Sequence, residues 1–223
     1  MVGSNWQSNS ASSRQNINQN SVIEGQACDY CDPRDPLKSH NATFATDGTE
    51  NWWQSPPLSR GFKYANVILT IDLGQEFHVA YVFIKMGNSP RPGVWVLERS
   101  RDFGKTYSPW QYFAESQTDC IEHFGPLSIQ KISRDDSVIC ETKFSNIIPL
   151  EGGEIPVQLL NNRPSSVHFG NSSILQEWST ATNIRLRLIR PRTTLGRMGQ
   201  QLDPTVTRRV SFFYCFNQIF LKF

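Results

Sequence analysis

The chain has 223 residues, with 22 basic and 20 acidic side chains, so its near-neutral charge supplies no bulk attraction to nucleic acid or to a membrane surface. No run approaches the roughly 20 apolar residues that a membrane-spanning helix needs. One domain of the larger all-β kind is the natural expectation at this length, and aromatic residues at 12% are ample for its core.

The first 26 residues are rich in Ser, Asn and Gln and poor in large apolar side chains, which predicts disorder. They hold no apolar h-region, hence no visible signal peptide. Further on, Val67, Leu69, Ile71 and Leu73 alternate with Ile68, Thr70 and Asp72, the pattern of a half-buried strand, and Gly74-Gln75 reads as its break. Val79 to Met86 is apolar at nearly every position, consistent with a strand buried on both faces or in the sandwich centre. Pro90 to Gly93 stops that strand and turns the chain into another at Val94 to Glu98. Ser100 to Tyr107 reads as a turn before Tyr112-Phe113. Late in the chain Ile184, Leu186 and Leu188 alternate with Arg185 and Arg187, one face inward and one outward. No segment of eleven or more residues sustains a helical stripe. Short strands with Pro, Gly and Asn punctuation argue for an all-β fold, an antiparallel β-sandwich with long loops. The closing run, Val210 to Phe223, is apolar but too short to anchor in a membrane.

The cysteines point to an oxidising compartment. Cys120 and Cys140 enclose a short segment and form the firmer candidate disulfide; closing such a loop contributes on the order of 3 kcal/mol in the chain-entropy model. Cys28 and Cys31 form a C-x-x-C, which is read as structural. A redox pair would need a strand-to-helix setting, and a zinc site a second ligand pair, and neither follows. Asn41-Ala42-Thr43 and Asn171-Ser172-Ser173 are glycosylation acceptors that fit an extracellular surface. Nothing points to catalysis. The four histidines, His40, His78, His123 and His168, show no ligand spacing, and no Gly-x-Ser-x-Gly occurs. The adjacent acids Asp135 and Asp136 would diverge if they lay on a strand.

Two unusual strings stand about forty residues apart. They are Asp47-Gly48-Thr49-Glu50-Asn51-Trp52-Trp53-Gln54-Ser55-Pro56 and Asn88-Ser89-Pro90-Arg91-Pro92-Gly93-Val94-Trp95-Val96-Leu97-Glu98-Arg99-Ser100. Thr118-Asp119-Cys120, Asp135 to Cys140, Pro149 to Ile155, Asn162-Arg163-Pro164-Ser165 and Asp203 to Arg209 follow in order. In these strings the chain resembles the laminin N-terminal (LN) domain, and the Pro-Leu-Glu-x-Gly-Glu string resembles the alpha-chain type. The resemblance covers roughly Cys28 to Arg209. It implies a jelly roll over residues 27–209, incomplete at its N-terminal end. It also sets residues 210–223 apart, because the family continues after Arg-Arg with a tyrosine-rich strand that this chain lacks.

The resemblance implies a secreted, basement-membrane interaction module that binds the LN domains of laminin beta and gamma chains. The implied docking residues are Pro149, Leu150, Glu151, Gly152, Gly153 and Glu154. In bare physical terms they form an acidic turn, with Gly152-Gly153 permitting a sharp bend. For Phe44, Asp47 and Asn51 two readings stand. Asp47-Gly48 is a tight turn, or the three residues supply oxygens to a calcium ion, as LN domains of other chains do near this loop. No other cofactor is expected. Arg185, Arg187, Arg190, Arg192 and Arg197, with Arg208 and Arg209, form a basic stripe that would suit heparan sulfate, or else a solvated strand face. A glycan- or receptor-binding jelly roll, acting through this stripe or through the Trp52-Trp53 loop, is the rival reading. Trp53 is expected to be buried. Nucleic acid is not expected, since no stacking aromatics accompany the arginines.

Overall fold

Period-two patterning in the sequence becomes nine strands among the residues that the computed structural model describes, 40–56, 66–192 and 214–223. In chain order these are β1 (Trp53–Gln54), β2 (Val67–His78), β3 (Tyr81–Met86), β4 (Val94–Ser100), β5 (Ser108–Phe113), β6 (Cys140–Glu141), β7 (Glu154–Gln158), β8 (Thr180–Arg190) and β9 (Cys215–Lys222). They form a four-stranded sheet, β1-β9-β3-β7, and a five-stranded sheet, β2-β8-β4-β5-β6. Every pairing is antiparallel except β5 with β6. The fold is the all-β sandwich that the sequence predicts. The segments Cys28, Cys31 and residues 1–26, and the arginines at 197, 208 and 209, lie outside the described residues.

One apolar cluster joins the sheets. Val82, Ile84 and Met86 of β3 and Phe216 and Ile219 of β9 meet Trp95 and Leu97 of β4 and Ile184, Leu186 and Leu188 of β8. Leu69 of β2 pairs with Leu186, so the predicted alternation of both strands fixes one register. Trp95 stacks on Phe113 of β5 at 3.8 Å between ring centroids. The only two α-helices among the described residues are short, Gln117–Phe124 and Ser173–Ser179. Both are capped by a serine hydroxyl, Ser116 accepting from the Asp119 N–H and Ser172 from that of Leu175.

Several expectations meet a different outcome. β3 is buried on one face only; Tyr81, Phe83 and Lys85 remain half-buried on the other. The continuous apolar run misleads because Tyr81 and Phe83 stack on one another, and Phe220 lies beside Phe83, as an outer aromatic layer. β2 does not end at Gly74. It continues to His78 across a register irregularity between Asp72 and Phe77, with Gly74 at φ 75° and its N–H donating to Asp72 Oδ1. Residues 215–222, expected to stand apart from the domain, form β9 between β1 and β3. Asp135 and Asp136 lie on a turn, not a strand. Asp135 is buried and accepts from the Ser165 N–H and the Ser172 hydroxyl, while Asp136 pairs with Arg134.

Candidate functional site

The Trp53-Gln54-Ser55 string is a piece of sheet. Trp53 is 9% exposed and stacks on Phe216 at 5.4 Å. Ser55 donates its N–H to the Tyr214 carbonyl and accepts the Tyr214 N–H on its hydroxyl, both at 2.9 Å. Trp53 is therefore a core anchor, as expected, and is not available to stack on a sugar. Trp52 is half-buried against His40.

In the preceding loop, Asp47 Oδ1 accepts both the N–H and the hydroxyl of Thr49, at 2.9 and 2.8 Å. The Asn51 N–H donates to the Thr49 hydroxyl, and Gly48 takes φ 73°. The Thr49 hydrogen bonds hold the Asp47 carboxyl below the ordinary carboxylate range. The tight-turn reading thus has a complete physical account. Phe44 sits in the 3-10 turn Ala42–Ala45, two residues from this turn. The oxygens of Asp47, Thr49 and Asn51 are of the hard kind that calcium takes. Asp47 is the only acid of the predicted trio, and among the described residues no cluster of three His, Cys, Asp or Glu side chains could hold a metal.

Cys120 and Cys140 are bonded, joining the helix Gln117–Phe124 to β6. Asn41 and Asn171 are both exposed, Asn41 capping the 3-10 turn and Asn171 ending the 3-10 segment Ser166–Asn171.

The arginine stripe is present on β8 and just beyond it, but acids cover it. Glu98, 5% exposed on β4, lies 2.5 Å from Arg185 Nε and 3.2 Å from Arg187 Nε. Arg190 reaches Asp119 at 3.1 Å and Glu115 at 3.5 Å, and Arg192 reaches Glu115 at 2.5 Å. Arg185 also lies 3.8 Å over the Tyr107 ring. Four positive charges therefore meet three negative ones at contact distance, and little field is left for a polyanion.

The Pro149–Glu154 segment is built differently. It runs into β7, the edge strand of the four-stranded sheet. Glu151 and Glu154 are exposed, as are Ile148 at 75% and Leu150 at 53%. Its ends are tied by one residue of the Arg-Pro-Gly turn: Arg91 donates Nη1 to the Ile148 carbonyl at 3.1 Å and Nη2 to the Glu154 carbonyl at 3.0 Å. Two backbone bonds complete the attachment, Gly152 N–H to Gly87 O at 2.9 Å and Met86 N–H to Gly153 O at 2.8 Å. Gly152 holds φ 63°, a conformation that favours glycine, and a Cβ there would meet open space. At Gly153 a Cβ would come within 3.1 Å of Arg91 Nε and 3.4 Å of Pro149 Cγ, so the arginine packs directly on that glycine. Burial lowers the Arg91 guanidinium from its ordinary value, the Glu154 charge opposing.

Sequence reading finds the loop and its acids but misses Arg91. The Arg-Pro-Gly string is visible as a turn, and nothing local says that its arginine reaches residues 57 and 63 positions away.

A family model described as Laminin N-terminal (Domain VI) matches residues 5–222, so β9 falls inside the matched span. The chain is 58% identical over 201 residues to the laminin subunit alpha of Drosophila melanogaster and 56% identical over 200 residues to human laminin subunit alpha-3. Each comparison covers 89% of this chain but only 5% and 6% of those relatives, so the chain spans a small part of their length. Human laminin subunit gamma-1 is 33% identical over 199 residues, covering 86% of this chain and 12% of that protein. Among solved structures, a chitosan-binding module from a Paenibacillus chitosanase/glucanase superposes with a TM-score of 0.43 at 10% identity, over 82% of this chain and 84% of that one. By the family match along nearly its whole length and by these alpha-subunit identities, the chain belongs to the laminin N-terminal domain family, in its alpha-chain form.

Proposed function

We propose that this domain is an extracellular-matrix assembly module that docks the N-terminal domains of laminin beta and gamma chains through the Ile148–Glu154 surface, contributing to polymerisation in basement membrane. The observation that carries this reading is the Arg91 clamp: it fixes both ends of a loop that exposes two acids beside two large apolar side chains. A loop ordered before binding loses less conformational entropy on docking, so a small contact yields more net affinity. Modest contacts suffice in a network, because linked sites gain from effective concentration. The Cys120–Cys140 bond and the exposed Asn41 and Asn171 acceptors agree with secretion. No helix among the described residues is long and apolar enough to cross a membrane.

The rival reading, heparan sulfate or receptor binding through the arginines, is disfavoured by the acids that face them. Sedimentation velocity of the secreted chain, alone and with matched beta and gamma N-terminal domains, separates the two. A heavier species that needs all three components and is lost in Glu151→Ala/Glu154→Ala supports assembly. A folded chain that stays monomeric in every mixture overturns it. The same runs with calcium and with chelator test the Asp47 turn, where an ion-dependent complex lost in Asp47→Ala would establish a calcium role.

A further inference from the structure

The open side of the sandwich, between the edge strands β6 and β7, holds a cavity of about 240 Å³. That is smaller than the ~300–1,000 Å³ of a drug-sized site, and about the scale of one sugar ring. Its polar lining is dominated by carboxamides. Gln111 of β5, 9% exposed, donates Nε2 to Glu141 Oε2 at 3.1 Å. Gln158, Asn161 and Asn162 line it from the β7 side, Gln158 and Asn161 in contact with each other. A carboxamide donates and accepts on one rigid plane, and so matches a pair of neighbouring hydroxyls, each of which also does both. Ile139, Phe144 and Pro156 give the same cavity an apolar wall for the C–H face of a ring.

Two details narrow the ligand. The Arg163 guanidinium, 5% exposed, is committed to the carbonyls of Leu159 at 2.6 Å, Asp135 at 2.5 Å and Ser137 at 3.1 Å, so it offers no fork to a carboxylate or sulfate, and the charge of Lys143, which also lines the cavity, is offset by the nearby Glu141 carboxylate. Pro156 has no N–H to offer an added strand, which disfavours an extended peptide on this edge.

We propose that this cavity is a binding site for one neutral sugar residue, a hexose or N-acetylhexosamine, held by Gln111, Glu141, Gln158 and Asn161. Saturation-transfer NMR on the full chain tests it, with the methyl glycosides of galactose, glucose, N-acetylglucosamine and glucuronic acid and a short blocked peptide as probes. At least one neutral glycoside is expected to bind, about tenfold more weakly in Glu141→Gln and in Gln158→Ala. Gln158 is exposed and Glu141→Gln keeps the side-chain shape, so a native thermal midpoint separates loss of binding from loss of fold. Arg187→Ala, on β8 and outside the cavity lining, is expected to leave binding unchanged. Transfer to no neutral glycoside, transfer only to the glucuronide or the peptide, or binding indifferent to both cavity variants would overturn the assignment.

Discussion

The Ile148–Glu154 loop and the arginine row of β8 both read in the sequence as bands of like charge on an exposed turn or strand face, and the structure treats them in opposite ways. Along β8 and just beyond it each arginine meets an acid brought from another element: Glu98 from β4, Glu115 from the segment before the helix Gln117–Phe124, and Asp119 from that helix's first turn. At the loop the charged partner is Arg91, but its direct hydrogen bonds go to backbone carbonyls, and Glu151 and Glu154 stay exposed. An arginine that binds carbonyls shapes a surface, whereas an arginine facing a buried carboxylate erases one. Charge in a sequence therefore says less about a binding face than what the charge is bonded to.

The largest effect expected is at Glu98. Glu98→Gln leaves Arg185 and Arg187 without their shared carboxylate and is expected to cost about 2 kcal/mol in denaturant unfolding, since hydrogen bonds to charged groups contribute ~1.5–3 kcal/mol. The same variant should uncover the row and lengthen retention on a heparin column. Retention equal to wild type would mean that the pairing with Glu98 does not mask these arginines.

A smaller effect is expected inside the loop. Gly152→Val places a β-branched residue at φ 63° and should cost about 1–2 kcal/mol, whereas Gly152→Asn should cost a few tenths, because Asn tolerates the left-handed region. Equal midpoints for the two variants would show that the turn relaxes freely, which contradicts a fixed loop.

Acid titration separates shaped turns from charged surfaces most gently. Hydrogen bonds from Ser100 and Thr106 hold Asp102 well below the carboxylate range. Burial alone would raise Asp135, but the bonds from Ser165 and Ser172 and the Arg163 charge outweigh it and leave it lowered. A carboxyl with a lowered native pKa contributes stability that is fully present above its unfolded value and is lost as pH falls through the native one. Their contribution should therefore stay constant down to about pH 4 and decline below it. In Asp102→Asn the acid limb of the midpoint–pH curve should be shallower.

What was legible in the sequence follows a physical rule. The alternation in β2 and β8, the break at Pro90 to Gly93, the Cys120–Cys140 pair and the burial of Trp53 all rest on local pattern or short spacing, and each appears in the structure. β3 reads as doubly buried because its outer face is aromatic, and a hydrophobic count cannot tell an outer aromatic layer from a core. β9 reads as set apart by its departure from the family pattern, and its inward pair hides from a period-two count: Phe216 and Ile219, three positions apart, both face the core because the register shifts between Lys85 and Met86. The Arg91 clamp and the acids over the arginine row were invisible for a third reason: each joins residues at least 57 positions apart, and only the closed sandwich brings them together.

In the proposed assembly Arg91 makes the loop a docking surface by fixing its ends, and Arg91→Lys tests this most directly, because a lysine cannot donate to both carbonyls through one planar fork. Sedimentation velocity with matched beta and gamma N-terminal domains should show the ternary association weakened about tenfold, with Glu151 and Glu154 intact and the thermal midpoint nearly native. Association as strong as wild type, in a variant whose loop amides exchange hydrogen faster, would contradict the account.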